Sequence, residues 1–212
     1  FYTADFRSEN ELHYFASENF QVYQLVTYMF MHGSFWHLFF NMFALWMFGN
    51  LLENTIGSKK FLIYYMVTGI GAGLIQMVVY YFRISAVEAQ MSAENINIVY
   101  QQGAGLLKNE MNYTDILMGK LNLLLNAATI GASGSVFGVL LAFGMLFPNQ
   151  MIYVYFAIPV KAKYFVIIYG VLELYMGVSN RAGDNIAHFA HLGGMLFGIF
   201  MLLYWRNKYK RR

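Results

Sequence analysis

Six polar side chains stand in stretches too apolar to keep them without a reason. They are His32, His37 and Asn41 in His32-Gly33-Ser34-Phe35-Trp36-His37-Leu38-Phe39-Phe40-Asn41, Ser133 in Gly131-Ala132-Ser133-Gly134, and His188 and His191 in Ala187-His188-Phe189-Ala190-His191-Leu192-Gly193-Gly194. A serine hydroxyl is a weak nucleophile until a base removes its proton. Imidazole does this near neutral pH and returns the proton to a leaving amine. Attack on an amide carbonyl builds an oxyanion, which needs hydrogen-bond donors set in place beforehand. His37 and the Asn41 amide are candidate donors. The Ser133 backbone N–H is a third if Ser133 opens a helix, because the first N–H groups of a helix have no intrahelical acceptor. The residue types therefore suit acyl transfer.

The elements that must position them are set by composition. The chain has 212 residues, 58% hydrophobic and 12% charged, with a mean hydropathy of +0.44. A soluble domain carries roughly 25% charged residues, so this chain cannot cover a water-facing surface. Disorder, a nucleic-acid-binding domain and an ordinary soluble enzyme are excluded. Without cysteine there is neither a disulfide framework nor a thiolate metal site. Charge-free runs at 20–52, 61–82, 121–160 (divided by Pro148), 164–177 (interrupted by Glu173) and 185–205 predict an all-α, polytopic membrane bundle. Its helices are expected near 35–52, 61–82, 133–147, 162–178 and 188–205. Residues 1–34 form a segment leading into the membrane, 83–130 a long outer loop, and 206–212 a basic tail. Within the loop, Ile96–Met111 has the mixed pattern of a short amphipathic helix on the membrane surface.

Loop charge sets the orientation. Segments 53–60, 148–163 and 206–212 hold nine of the fourteen basic residues and a single acid, Glu53. The excess of Lys and Arg predicts a cytoplasmic C-terminus. Five spans then put residues 1–34 outside. A cytoplasmic N-terminus calls for one more helix upstream, which fits a chain that opens at Phe1 rather than Met.

Depth brings the polar groups together. Ser133 lies fourteen residues from Phe147, His191 fourteen from Trp205 and His37 fifteen from Leu52. At ~1.5 Å per residue these are heights of about 21–22 Å, or roughly 8–10 Å below the outer surface of a ~30 Å core. Asn41 lies one turn deeper on the face of His37. Gly134-x-x-x-Gly138 and Gly194-x-x-x-Gly198 are small-residue stripes that let the helices bearing Ser133 and His191 pack closely.

The His32…His37…Asn41 pattern, Gly131-Ala132-Ser133-Gly134 and Ala190-His191-Leu192-Gly193-Gly194, in this order on three different spans, resemble the rhomboid family of intramembrane serine proteases, bacterial type. The resemblance covers about residues 20–205. It implies a Ser133–His191 dyad without an acid, and an oxyanion site of His37, Asn41 and the Ser133 backbone. His32, Gly131, Gly134 and Phe137 are implied as supporting residues. It further implies five of six core helices, lateral substrate entry near the fifth core helix, and no cofactor. The expected partners are membrane lipids and single-span transmembrane substrates, and the expected location is the bacterial plasma membrane. Two positions depart from the family pattern. Phe137 stands where some members have a tyrosine that stacks on the catalytic histidine, and Tyr23-Gln24 falls near a Trp-Arg pair of some members.

Other readings compete. Ser133 could serve helix packing, His191 and His188 could be buried structural histidines, and Asn41 could bridge helices. Four histidines could bind a metal, but the sequence pattern offers no acidic partner and no His-Glu-x-x-His motif. A catalytically silent, client-binding relative would be expected to lose the serine or the histidine, and both are present. A transporter would favour charged intramembrane groups, of which Glu173 is one and has no assigned partner. Trp36, Tyr64 and Trp205 are expected as interfacial anchors.

Overall fold

The computed structural model describes residues 9–154, 157–179 and 187–210, with side chains up to residue 207. A short turn of helix, α1 (Gln24–Thr27), precedes α2 (Phe35–Ile56), which carries a π-helical stretch at Leu45–Gly49. The remaining helices are α3 (Ser58–Glu88), α4 (Ala93–Lys108), α5 (Ile116–Leu125), α6 (Ser133–Leu146), α7 (Ala162–Ser179) and α8 (His188–Lys210). A two-stranded antiparallel hairpin, β1 (Met151–Val154) and β2 (Ile158–Lys161), lies between α6 and α7, with Met151 opposite Lys161. The protein is an all-α polytopic membrane bundle to which this hairpin is a small addition.

Among the described residues four helices have the length and apolarity to cross a membrane: Phe35–Ile56, Ser58–Glu88, Ala162–Ser179 and His188–Asn207. The helix expected at 133–147 is different. With 14 residues it is about 21 Å long, short of a ~30 Å core. It is also the central helix: α3, α6 and α8 pack on one another, while α2 and α7 each pack on α6. Ten of its residues are buried. The chain therefore reaches the start of α6 as irregular backbone, which is tolerated at membrane depth only inside protein or against water. That approach is tied down. Thr129 pairs with Leu12, and Gly131 N–H donates to the Tyr28 carbonyl at 2.9 Å. By contrast α2 and α7 show apolar faces outward, with Trp36, Phe40 and Trp46 on one and Ile167, Val171 and Val178 on the other. Such faces are stable only against lipid.

The stretch 83–130 departs from the expected outer loop. α3 runs to Glu88, and its 31 residues measure about 46 Å, so roughly 16 Å projects beyond the hydrocarbon. On that projection α4 and α5 build a second small core of Ile84, Val87, Val99, Leu121, Leu125 and Tyr14. Ser92 and Asp115 cap the two helices, accepting from Asn95 N–H at 3.2 Å and Met118 N–H at 2.8 Å. Asn122 joins them by donating to the Gly103 carbonyl at 3.1 Å. Ile96, Val99 and Tyr100 of α4 pack into this core. Burial, and then the Glu88 carboxylate to which it donates at 2.8 Å, raise the Tyr100 phenol above its ordinary pKa.

Tyr64 is not an interfacial anchor. It is fully buried and donates to the Gly138 carbonyl at 2.8 Å. Trp36 is exposed, and Trp205 is half-buried against the Tyr64 ring.

Candidate active site

Gly131 has φ +115°, in the region that favours glycine. The same residue leaves room for His37, because a Cβ there would stand 2.7 Å from His37 Nε2. Two residues on, Ser133 is the first residue of α6, so its N–H has no carbonyl within the helix to meet. His191 belongs to the first turn of α8. α6 and α8 touch at glycines: a Cβ on Gly194 would run into the Gly134 carbonyl, and one on Gly134 into the Ala72 side chain of α3. The second glycines of the two stripes, Gly138 and Gly198, face α3 instead, against Thr68 and Tyr64. Three backbones thereby converge around the serine.

The result is direct contact. His191 Nε2 lies 2.8 Å from Ser133 Oγ. Phe137, one turn beyond Ser133, stacks on the His191 ring with centroids 4.2 Å apart and planes 5° from parallel. This contact restricts the imidazole to one plane. On α2, Ser34 caps the helix by accepting from His37 N–H at 3.1 Å. Gly33 N–H donates to His37 Nδ1 at 3.3 Å. An Nδ1 that accepts must be unprotonated, so Nε2 carries the hydrogen and His37 is a donor on the side of Gly131 and Ser133. The His32 ring meets the His37 ring edge to face at 5.1 Å. Asn41 is buried, and its amide donates to the carbonyl of His37 at 2.8 Å, which leaves one of its two N–H groups for another acceptor. A hydroxyl on an unprotonated imidazole nitrogen, with N–H donors beside it, can carry out acyl transfer.

Glu173 of α7 is the residue sequence reasoning left unplaced. Its Oε2 lies 2.7 Å from His188 Nδ1 and 2.8 Å from His191 Nδ1. The reading that no acid accompanies the histidines is therefore corrected. Its one signal in the sequence was an acid inside an otherwise charge-free span. The ligand atoms of Glu173, His188 and His191 all lie within 4.8 Å of one another, a spacing that raises the question of a metal. Ligands of a tetrahedral zinc ion at ~2.0–2.1 Å stand about 3.3 Å apart. Contacts of 2.7 and 2.8 Å to one shared oxygen are hydrogen bonds. Gln24, near the family's Trp-Arg position, has a structural task. Fully buried, it donates to the Glu9 and Asn19 carbonyls and accepts from His13 and Gln21 N–H, holding the segment before α2 together.

Comparison with known proteins bears on this arrangement. The family model described as Rhomboid domain matches residues 19–208. The chain belongs to the rhomboid family. Its members are membrane proteins, typically intramembrane proteases. Rhomboid protein 1, mitochondrial, of Saccharomyces cerevisiae is 29% identical over 171 residues, covering 80% of this chain and 38% of that protein. Rhomboid-like protein 11, chloroplastic, of Arabidopsis thaliana is 40% identical over 57 residues, covering 27% of this chain and 20% of that protein. The chain thus spans well under half the length of the curated relatives it matches. No solved structure gives a significant match.

Proposed function

We propose that this rhomboid protein is an intramembrane serine endopeptidase, with Ser133 the nucleophile and His191 its general base. The observation that carries the reading is the 2.8 Å contact between Ser133 Oγ and His191 Nε2, set inside a membrane bundle. In the first step the Oγ proton passes to Nε2 as Oγ bonds to the scissile carbonyl carbon. The oxyanion is met by the Ser133 N–H, the His37 Nε2–H and the Asn41 amide. The imidazolium then returns its proton to the departing amine, leaving an acyl-serine. Water, deprotonated by His191, repeats the sequence and frees the enzyme.

The substrates are single-span membrane proteins, cut near the face on which α6 begins. Entry is lateral, beside α7. Two observations support it: α2 and α7 each pack on α6 but not appreciably on each other, and both carry exposed apolar faces. The basic C-terminal tail lies in the cytoplasm, and the host membrane is a bacterial plasma membrane.

The test is made on purified protein in liposomes. A fluorophosphonate probe should label the wild type, and a panel of single-span substrates should be cleaved. Ser133→Ala and His191→Ala should each lose both activities while unfolding at the wild-type temperature. Cleavage by Ser133→Ala at the wild-type rate, or a wild type that neither labels nor cleaves, refutes the assignment.

A further inference from the structure

The acid in α7 lies behind the catalytic histidine rather than beside the serine. Glu173 is 5% exposed, and a carboxylate at this depth needs partners that satisfy its charge. Its partners come from α8, where His188 and His191 are three residues apart on one face, with ring centroids 6.4 Å apart. Both Nδ1 atoms converge on the single oxygen Oε2. An ionised carboxylate only accepts. Each Nδ1 therefore carries a proton, and His191 must be the tautomer whose Nε2 is free to accept from Ser133. Without an acceptor at Nδ1, the other tautomer would place a proton on Nε2 and face the serine with a donor.

We propose that Glu173 is a positioning residue for the reaction, a third member behind Ser133 and His191. It holds the His191 tautomer and neutralises the imidazolium that forms when Oγ attacks, while His188 anchors the carboxylate. The proposal rests on the serine protease reading above. It adds an acid to what the family resemblance implies is a dyad. No proton moves to Glu173. The Oγ proton passes to Nε2, Nδ1–H stays in place, and the carboxylate balances the imidazolium beside the oxyanion. In a low-dielectric site that balance is worth far more than in water. Helix packing alone would explain a buried hydrogen bond between α7 and α8. It would not require a negative charge, nor aim that charge at the nitrogen opposite the nucleophile.

The experiment compares Glu173→Gln and Glu173→Asp with the wild type in liposomes, by steady-state cleavage of a single-span substrate and by thermal unfolding. Ser133→Ala sets the background. Glutamine keeps size and hydrogen bonding but loses the charge, and its amide can donate to Nδ1 and reverse the tautomer. Its kcat should fall by about 10²–10⁴-fold with KM within about twofold, as when the acid of a serine triad is replaced. Aspartate keeps the charge on a shorter arm and should recover at least about tenfold of that loss. A Glu173→Gln enzyme within about threefold of the wild-type kcat overturns the proposal. So does a loss shared by both variants that follows a fall in unfolding temperature, which would assign Glu173 to the fold. A wild type no faster than Ser133→Ala would instead sink the protease reading itself.

Discussion

The histidines on either side of Ser133 are held in opposite tautomers. His37 accepts a backbone N–H at Nδ1 and so donates from Nε2, whereas on the proposed reading His191 keeps its Nδ1–H, hydrogen-bonded to the Glu173 carboxylate, and so accepts at Nε2. On the proposed reading one stabilises an oxyanion and the other takes a proton, although the side chains are identical. Replacing His37 or Asn41 by alanine should therefore slow cleavage without abolishing it. The expected cost is about 10²–10³ in kcat for each donor, or ~2.7–4 kcal/mol. Single-turnover rates in liposomes measure this, and a variant as fast as the wild type removes that residue from the oxyanion site. The meeting of Ser133 and His191 was legible in the sequence, because each residue precedes a small-residue stripe that lets its helix approach the other. Glu173 was legible only as an anomaly, since which way a helix is rotated cannot be counted.

At the scale of elements, the separation between α6 and α8 decides whether Ser133 meets His191. Gly194 sits on the Gly134 carbonyl with no room for a Cβ. Gly194→Ala should force the backbones apart, costing about 1–3 kcal/mol of stability. A shift near 1 Å at the reacting atoms costs about 10²-fold in rate. Gly105 on α4 is the control, because a Cβ there meets nothing within 4 Å. Gly105→Ala should leave activity intact and stabilise by up to about 1 kcal/mol through helix propensity. Unfolding in mixed detergent micelles and initial cleavage rates report both quantities. Equal behaviour of the two variants would mean that the α6–α8 approach is not critical. The glycine stripes were readable as spacing, but their partners were not: Gly134 meets Gly194, whereas Gly138 and Gly198 turn to α3.

For the whole molecule, α6 is shorter than a ~30 Å core, and on the proposed reading a substrate helix must open before its backbone can be attacked at Ser133. A backbone carbonyl in an intact helix is already hydrogen-bonded. Helix-weakening residues near the cut site lower the cost, by ~1 kcal/mol for Gly and ~3 for Pro. Replacing such a Gly or Pro in a cleaved substrate with Leu should slow the initial rate in liposomes by about fivefold or more. An unchanged or faster rate would show that unwinding does not govern selection.

The sequence by itself determined the quantities that add along the chain. Apolar runs set where the helices lie, though α6 proved too short and too buried to be the fifth span expected, and basic loops and residue counting set the expected orientation and the expected common depth of Ser133, His191 and His37. Only the tertiary structure decided what depends on rotation and lateral packing. It turned Glu173 onto the Nδ1 atoms of His188 and His191, buried Tyr64 against Gly138, and built α4 and α5 on the projecting end of α3. The physical reason is that a bilayer fixes depth for each helix independently. Azimuth and neighbour are fixed only when side chains from distant segments, such as Glu173 and His191, find one another.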